Sequence, residues 1–280
     1  MKKIVILLCV LMISACSTRF AYNNIDWLVY WYLDDYVELS SKQEDQFDEM
    51  LAKWMQWHKA QELPKYKQQL QDIIKEVEQD QLDPSKFVAH RERARSHWER
   101  ARSYVAPDIV TLAKTLDEEQ IEYFFNALEK QNKEDEEEIF ENKERSDEKR
   151  KERWIKRNQK NVKGWIGKLQ PEQKEFIETY TERFESTSVL WLEYRREYQR
   201  ALKAVFDNPE RGAKFEAALL ELIINPEQYR SEAFNQITQS NIEASSEYFL
   251  GLLALSSNKQ KEKLVDEIND LIEDVEYLAK

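Results

Sequence analysis

The chain is predicted to fold as an all-α, elongated multi-helix bundle. Only four glycines occur in 280 residues, against an average usage of about 7%. Long tracts are rich in Glu, Lys, Arg, Gln, Leu and Ala, which are strong helix formers. Residues 171–206 also show helical periodicity, with apolar and aromatic residues three or four positions apart: Phe176, Tyr180, Phe184, Thr187, Trp191, Tyr194, Tyr198, Leu202 and Val205. This spacing predicts one helix with an aromatic face packed in the core.

The first residues indicate export from the cytoplasm. Lys2 and Lys3 give a positive start, and residues 4–12 form an apolar run that is too short to span a bilayer. Residues 13–16, Ile-Ser-Ala-Cys, follow at once. This order is typical of a secretory signal peptide, here residues 1–15. An ordinary secreted signal with a chance cysteine after it is the alternative.

The Ile-Ser-Ala-Cys sequence resembles the lipobox of bacterial lipoprotein signals. The resemblance implies cleavage after Ala15, lipidation of the Cys16 thiol, and acylation of the new amine of Cys16 with a palmitate-type chain. Several acyl chains on one residue hold a protein on a membrane far more firmly than a single chain does. Ser17 follows Cys16. In this class of lipoprotein, it is mainly an Asp at that position that causes retention at the inner membrane. The expected location is the outer membrane, facing the periplasm.

The composition after Cys16 is typical of a body that is attached to the membrane by this anchor. No later apolar run approaches the roughly 18 residues of a transmembrane helix. The net charge is -12 and becomes more negative when Lys2 and Lys3 leave, which argues against nucleic acid as a partner. Cys9 leaves with the signal, so no disulfide is expected. The predicted partners are the membrane, through Cys16, and a protein of unknown identity.

Residues 16–38 are predicted to hold the lipidated N-terminus and an aromatic first helix. A helix over residues 22–39 places apolar and aromatic side chains together, with Trp27 and Trp31 beside them. Trp and Tyr favour the headgroup zone of a membrane, so one interpretation is an interfacial helix. The other interpretation is the first core helix of the bundle. The segment has four carboxylates and no Lys or Arg, which suits an anionic membrane surface poorly and favours this second interpretation.

The aromatic segments also carry a family resemblance. Residues 19–27 read Arg-Phe-Ala-Tyr-Asn-Asn-Ile-Asp-Trp, and residues 31–39 read Trp-Tyr-Leu-Asp-Asp-Tyr-Val-Glu-Leu. Directly behind a lipobox, they resemble an uncharacterised family of Gram-negative bacterial lipoproteins with a domain of unknown function. The resemblance spans most of the chain and implies no activity.

One short phrase recurs along the chain and predicts helix starts. It occupies residues 39–43, 116–120, 169–173 and 255–260. A polar residue caps the first free amides, Gln three residues later reaches back, and the preceding Leu packs on the first turn. A second phrase begins at Asp83, which is followed by Pro, and it recurs at Asn225, which is also followed by Pro.

The order of the two phrases predicts an internal duplication, although capping phrases also recur by chance in helical proteins. The predicted halves are residues 39–160 and 169–280, with a break at 161–168, where two of the glycines lie. The first phrase also resembles the Leu-Thr-x-x-Gln signature of small periplasmic helical chaperones of the Spy type. That resemblance covers five residues at a time.

Residues 117–160 are predicted to form one long, charged, protruding helix. Residues 134–138 are all acidic, residues 143–163 are strongly basic, and few apolar residues lie between 128 and 154. Such a helix lies outside the core and is supported by ion pairs along its length. The expected pairs are Glu129 with Lys133, Asp147 with Lys151 and Glu152 with Lys156. The basic end is interpreted as a solvated face or as a surface for an acidic partner.

The sequence predicts no catalytic, cofactor or metal site. His58, His90 and His97 are the only histidines, and their spacing matches no local metal motif. Gly-rich phosphate loops, nucleophile elbows and a cysteine nucleophile are all missing from the mature sequence. The predicted function is a non-catalytic protein-interaction or scaffolding module of the envelope. The alternatives are a chaperone-like client-binding protein and an enzyme with an unrecognised carboxylate site.

Overall fold

The computed structural model describes residues 15–144 and 146–280. About 85% of this part is helical, and it contains no strand. The prediction of an all-α multi-helix bundle is therefore confirmed. Most of the predicted signal peptide and the side chain of Cys16 lie outside what is described. Among the described residues, no helix is both long enough and apolar enough to cross a membrane.

Twelve α-helices make up the described chain. Their bounds are α1 Ala15–Asn23, α2 Ile25–Leu33, α3 Ser41–Trp57, α4 Leu63–Glu78, α5 Pro84–Ala113, α6 Glu118–Glu144, α7 Asp147–Ile166, α8 Pro171–Tyr180, α9 Ser188–Phe206, α10 Ala213–Ile224, α11 Glu232–Ala254 and α12 Asn258–Leu278. A π-helical turn, His58–Glu62, joins α3 to α4, and short 3₁₀ turns occupy Thr181–Arg183 and Pro226–Tyr229.

Two apolar clusters form much of the interior. The first joins α5, α9 and α10, with partly buried residues of α6 against it; its buried members are Val110, Ala113, Leu202, Phe206, Phe215, Leu219 and Leu222. The second joins α7, α8 and α11, and its buried members are Ile166, Leu169, Ile177, Tyr248 and Leu252. Helix α12 packs most extensively on α4 and also contacts α1 and α7. The two predicted halves therefore pack on each other, and their origin by duplication stays a prediction.

The four recurring phrases are helix starts, as predicted: they precede α3, α6, α8 and α12. In each phrase the Gln side chain accepts a hydrogen bond from the backbone N–H of the capping residue. The lengths are 2.8 Å for Gln43, 3.1 Å for Gln120, 2.9 Å for Gln173 and 3.1 Å for Gln260. These bonds satisfy amides that a helix start otherwise leaves without a partner.

The same glutamines also pair across the fold. Gln43 and Gln120 exchange two amide hydrogen bonds, of 3.0 and 2.8 Å. Gln173 and Gln260 do the same, at 3.2 and 3.0 Å. We call each pair a glutamine clasp. One clasp joins the starts of α3 and α6, and the other joins the starts of α8 and α12.

Each clasp amide also donates to a backbone carbonyl five residues before its partner. Gln43 donates to Thr115 at 2.9 Å, and Gln120 donates to Glu38 at 2.6 Å. In the second clasp the equivalent acceptors are the carbonyls of Leu255, at 3.4 Å, and Lys168, at 3.0 Å. The recurring phrase thus does more than start a helix, because its Gln also fixes two helix starts side by side.

The predicted single helix over residues 171–206 is wrong. It is two helices, α8 and α9, because Phe184 has an extended backbone at φ -100° and ψ 123°. The side chain of Asn241 holds this break by bonding both the N–H and the carbonyl of Glu185, each at 2.9 Å. The predicted aromatic face is divided as a result. Phe176 packs in the cluster of α7, α8 and α11, whereas Tyr198 packs in the cluster of α5, α9 and α10.

The predicted single helix over residues 117–160 is also wrong. It is two helices, α6 and α7, because Ser146 caps a new helix by accepting from the N–H of Lys149 at 3.4 Å. Two smaller predictions also differ from the structure. The helix over residues 22–39 ends at Leu33 and is interrupted by a turn at Asn24. Asn225 starts only a 3₁₀ turn and makes no side-chain cap.

Candidate functional site

A cleft of about 1430 Å³ lies between α6 and α7. The turn at Asp35 and Tyr36 and the loop at Ser186 also line it. Helix α6 contributes carboxylates to one wall and α7 contributes cations to the other: Glu134, Glu137, Glu138 and Glu141 lie opposite Arg150, Arg153, Lys156 and Arg157. The cleft therefore has walls of opposite charge.

Helix α6 is held on α9 by polar contacts. Asp135 is 3% exposed and pairs with Arg195. Asn132 is 1% exposed and donates to Gln199 at 2.6 Å. The expectation that this segment lies wholly outside the core is therefore wrong. It failed because burial of a few polar side chains against polar partners leaves no apolar periodicity in the sequence.

Farther along the same face, Glu136 pairs with Arg196 at 2.8 Å. The guanidinium of Arg196 lowers the pKa of Glu136 below its usual range. Because both side chains are well exposed, this pair adds little to the free energy of unfolding. The buried Asp135 is thus the firmer attachment of α6.

Helix α7 is held at its middle by an aromatic residue. The ring of Trp154 lies 5.5 Å from that of Phe184 and 6.2 Å from that of Tyr248. Lys151 pairs with Glu182 at 2.7 Å, rather than with Asp147 as predicted. The other two predicted pairs are present: Glu129 with Lys133 at 3.9 Å and Glu152 with Lys156 at 3.7 Å. All three pairs are exposed, so each adds little to the free energy of unfolding.

Several charges in the cleft have no counter-ion. Within residues 15–144 and 146–280, Glu137, Glu138 and Glu141 form no ion pair, and neither do Arg153 and Arg157. All five side chains are exposed. Opposite charges thus line one cavity without reaching each other. A ligand that carries both signs could satisfy both walls.

A second polar cluster is buried where α3 passes into α4 through the π-helical turn. Glu62 is 0% exposed there, and π-helical turns often mark functional positions. Arg100 donates to both oxygens of Glu62 at 2.8 Å, and Lys65 donates to one of them at 2.7 Å. Burial by itself raises the pKa of Glu62, but the hydrogen bonds from Arg100 and Lys65 outweigh it and lower the pKa to about 2.

His97 extends this cluster to α4. Gln69 donates to the carbonyl of His90 at 2.7 Å, so its amide oxygen faces Nε2 of His97 at 2.9 Å. Nε2 therefore carries the proton, and Nδ1 lies 2.6 Å from the Arg100 guanidinium. Burial lowers the pKa of His97, which favours this neutral form. Since the oxygens of Glu62 are occupied by cationic donors, the cluster serves as an anchor between α4 and α5.

The three histidines gather in this region without forming a metal site. His58 contacts Tyr22 at 2.9 Å, and His90 contacts Glu76 at 3.0 Å. No group of three or more His, Cys, Asp or Glu able to hold a metal ion occurs in the described part of the chain. Sequence reasoning missed the Glu62 cluster, because Glu62 and His97 are 35 residues apart. The local signals are two three-residue spacings, that of Glu62 and Lys65 and that of His97 and Arg100.

The cleft and the Glu62 cluster both lie within a stretch, residues 35–235, that matches one protein family. The chain belongs to the DUF6279 family. It is a family of unknown function, so membership assigns no activity. No curated protein and no solved structure matches the chain. The DUF6279 stretch contains the first glutamine clasp, whereas α1, α2, α12 and Gln260 of the second clasp lie outside it.

Proposed function

We propose that this DUF6279 protein is a lipid-anchored lipoprotein of the bacterial envelope, and that the cleft between α6 and α7 binds a segment of a protein partner without catalysis. The observation that carries the proposal is the set of unpaired opposite charges on the two walls. Keeping such charges unpaired stabilises nothing within the chain. They would pair with a segment that presents basic residues to α6 and acidic residues to α7.

The size and lining of the cleft favour a polypeptide over a small metabolite. Small-molecule pockets are usually about 300–1,000 Å³ and mostly apolar. This cleft is larger, at about 1430 Å³, and charged residues dominate its walls. A chaperone-like role requires apolar surface for unfolded clients, and the cleft offers only a few aromatic and small residues beside its charges. A partner of defined charge pattern therefore fits better than an unfolded client.

The first residues support the proposed location. The lipobox-like sequence before Cys16 supports anchoring, and Ser17 supports transport to the outer membrane, with the body facing the periplasm. Replacement of Cys16 by Ser should release the protein from the membrane fraction or leave it unprocessed. If the Cys16→Ser variant stays in the outer-membrane fraction after a high-salt wash, the lipid anchor is refuted.

The binding proposal is tested by crosslinking in intact cells. A photo-reactive amino acid at Glu138, in the cleft, should capture a protein band, and the same amino acid at Glu178, exposed on α8, should not. Reversal of charge at Glu137 and Glu141 to Lys should abolish the captured band.

The matched control reverses Glu175 and Glu178 to Lys. Both are exposed, and neither forms an ion pair within the described residues, so the net charge changes equally. This control should keep the band. Capture that survives the cleft reversal, or that is lost equally in the control, would show that the charged cleft does not select the partner.

A further inference from the structure

Three large aromatic side chains near the N-terminus face solvent. Phe20 is 64% exposed, Trp27 is 60% exposed and Trp31 is 42% exposed. Helices α1 and α2 keep one direction through the turn at Asn24, because the Asn24 N–H donates to the carbonyl of Phe20 and the Asn24 carbonyl accepts from the N–H of Leu28, each at 3.1 Å. Residues seven and eleven positions apart lie on one helical face, so the three form a line. We call it the aromatic line.

Other side chains of α1 and α2 fix both helices to the body. Arg19 donates to Asp274 of α12 at 2.6 Å, and the Asp274 side chain is only 4% exposed. Tyr22 bonds His58 at 2.9 Å, and the ring of Tyr30 lies 5.5 Å from that of Phe47 in an edge-on contact. These contacts set the direction of the aromatic line, which cannot turn inward without breaking them.

We propose that the aromatic line lies in the headgroup zone of the bilayer and fixes the orientation of the body on the membrane. The inference rests on the proposed lipid attachment at Cys16. Trp31 is fifteen residues beyond Cys16, so at about 1.5 Å per residue the whole line lies within roughly 23 Å of the anchor. Trp at an interface buries its ring while its N–H stays hydrated. The two Trp rings stack, with centroids 6.4 Å apart, and present one continuous apolar surface.

Charge decides which kind of lipid surface fits. Asp26 on α2 and Asp34 and Asp35 in the turn after it are exposed, and no Lys or Arg occurs between Phe20 and Lys42. An anionic surface would repel these carboxylates, whereas a zwitterionic surface would not. The bilayer contact therefore depends on apolar burial and should be insensitive to salt.

The test uses the full mature protein purified from cells, with its attached acyl mass measured. It is placed in phosphatidylcholine vesicles that contain lipids brominated near the headgroup, which quench Trp fluorescence on contact. The double replacement Trp27→Phe and Trp31→Phe should lose most of the quenching. Trp98→Phe, a matched control at a residue 64% exposed on α5, should keep it.

Each outcome of the test decides the proposal. Equal quenching in the double variant and the parent would overturn it. It would also be overturned if the parent showed no quenching and formed a dimer that the double variant does not form. A rise in quenching with anionic phosphatidylglycerol that salt reverses would also overturn it. If the protein carries no acyl mass but the double variant still loses quenching, the lipid attachment fails and the membrane face stands.

Discussion

Replacement of Glu62 by Gln tests whether the buried carboxylate anchors α4 to α5. Glutamine has nearly the shape of the protonated acid, so the substitution removes the charge and little else. The pKa of Glu62 is lowered from 4.5 to about 2. A lowering of this size corresponds to about 3 kcal/mol of stabilisation by the ionised form. Near neutral pH, the Glu62→Gln variant should therefore have a free energy of unfolding lower by about 3 kcal/mol.

The difference should shrink as the solution is acidified. A carboxyl group whose pKa is lowered on folding stabilises the fold above its unfolded pKa, and this contribution is lost as pH falls through the folded pKa. At about pH 3.5, most unfolded chains have a protonated Glu62, whereas most folded chains do not. About 1 kcal/mol of the difference should be gone at that pH, and most of the remainder at about pH 2.

Urea unfolding, followed by the helical circular dichroism signal at about pH 6 and pH 3.5, measures both effects. Glu178→Gln is the control, because Glu178 is exposed and forms no ion pair within the described residues. It should change the free energy of unfolding at neither pH. If the wild type and the Glu62→Gln variant differ by less than about 1 kcal/mol, or by the same amount at both pH values, the carboxylate is not the anchor inferred here.

Two further predictions concern packing. A Cβ atom at Gly251 would lie 2.2 Å from the ring of Phe176, so Gly251→Ala should lower the free energy of unfolding by about 1–3 kcal/mol. Gly164→Ala, which meets nothing within 4 Å, should leave it unchanged or slightly raised; equal thermal unfolding of the two variants would contradict this packing. In the second glutamine clasp, Gln173→Ala should cost about 1–3 kcal/mol, because a buried amide of Gln260 loses its partner. The double variant with Gln260→Ala should lose less than the sum of the single changes, and strict additivity in a double-mutant cycle would show that the clasp contributes nothing.

The local features of this protein could be predicted from its sequence. The scarcity of glycine indicates helices, and the four recurring phrases mark the starts of α3, α6, α8 and α12. Each signal depends on residues within one or two helical turns of each other. A Gln that reaches back to the residue three positions earlier does so wherever the helix lies in the fold.

The positions of two helix breaks could not be predicted in the same way. The break at Phe184 is held by Asn241, 56 residues from Glu185. Apolar residues keep a helical spacing throughout residues 171–206, because both parts of the predicted aromatic face pack against other helices. The two parts differ only in which helices they contact. Between α6 and α7, Ser146 offers a cap in the sequence, but charged residues on both sides are compatible with one continuous helix.

The pairing of elements was decided by the tertiary structure alone. The clasp glutamines are 77 and 87 residues apart, and the charged walls of the cleft face each other because Asp135 binds α6 to α9 while Trp154 binds α7 to the aromatic cluster. The sequence determined where α3, α6, α8 and α12 begin, because capping bonds are local. Which helices meet, and which charges remain unpaired between them, depends on how buried surfaces fit together, and that fit involves residues from every part of the chain.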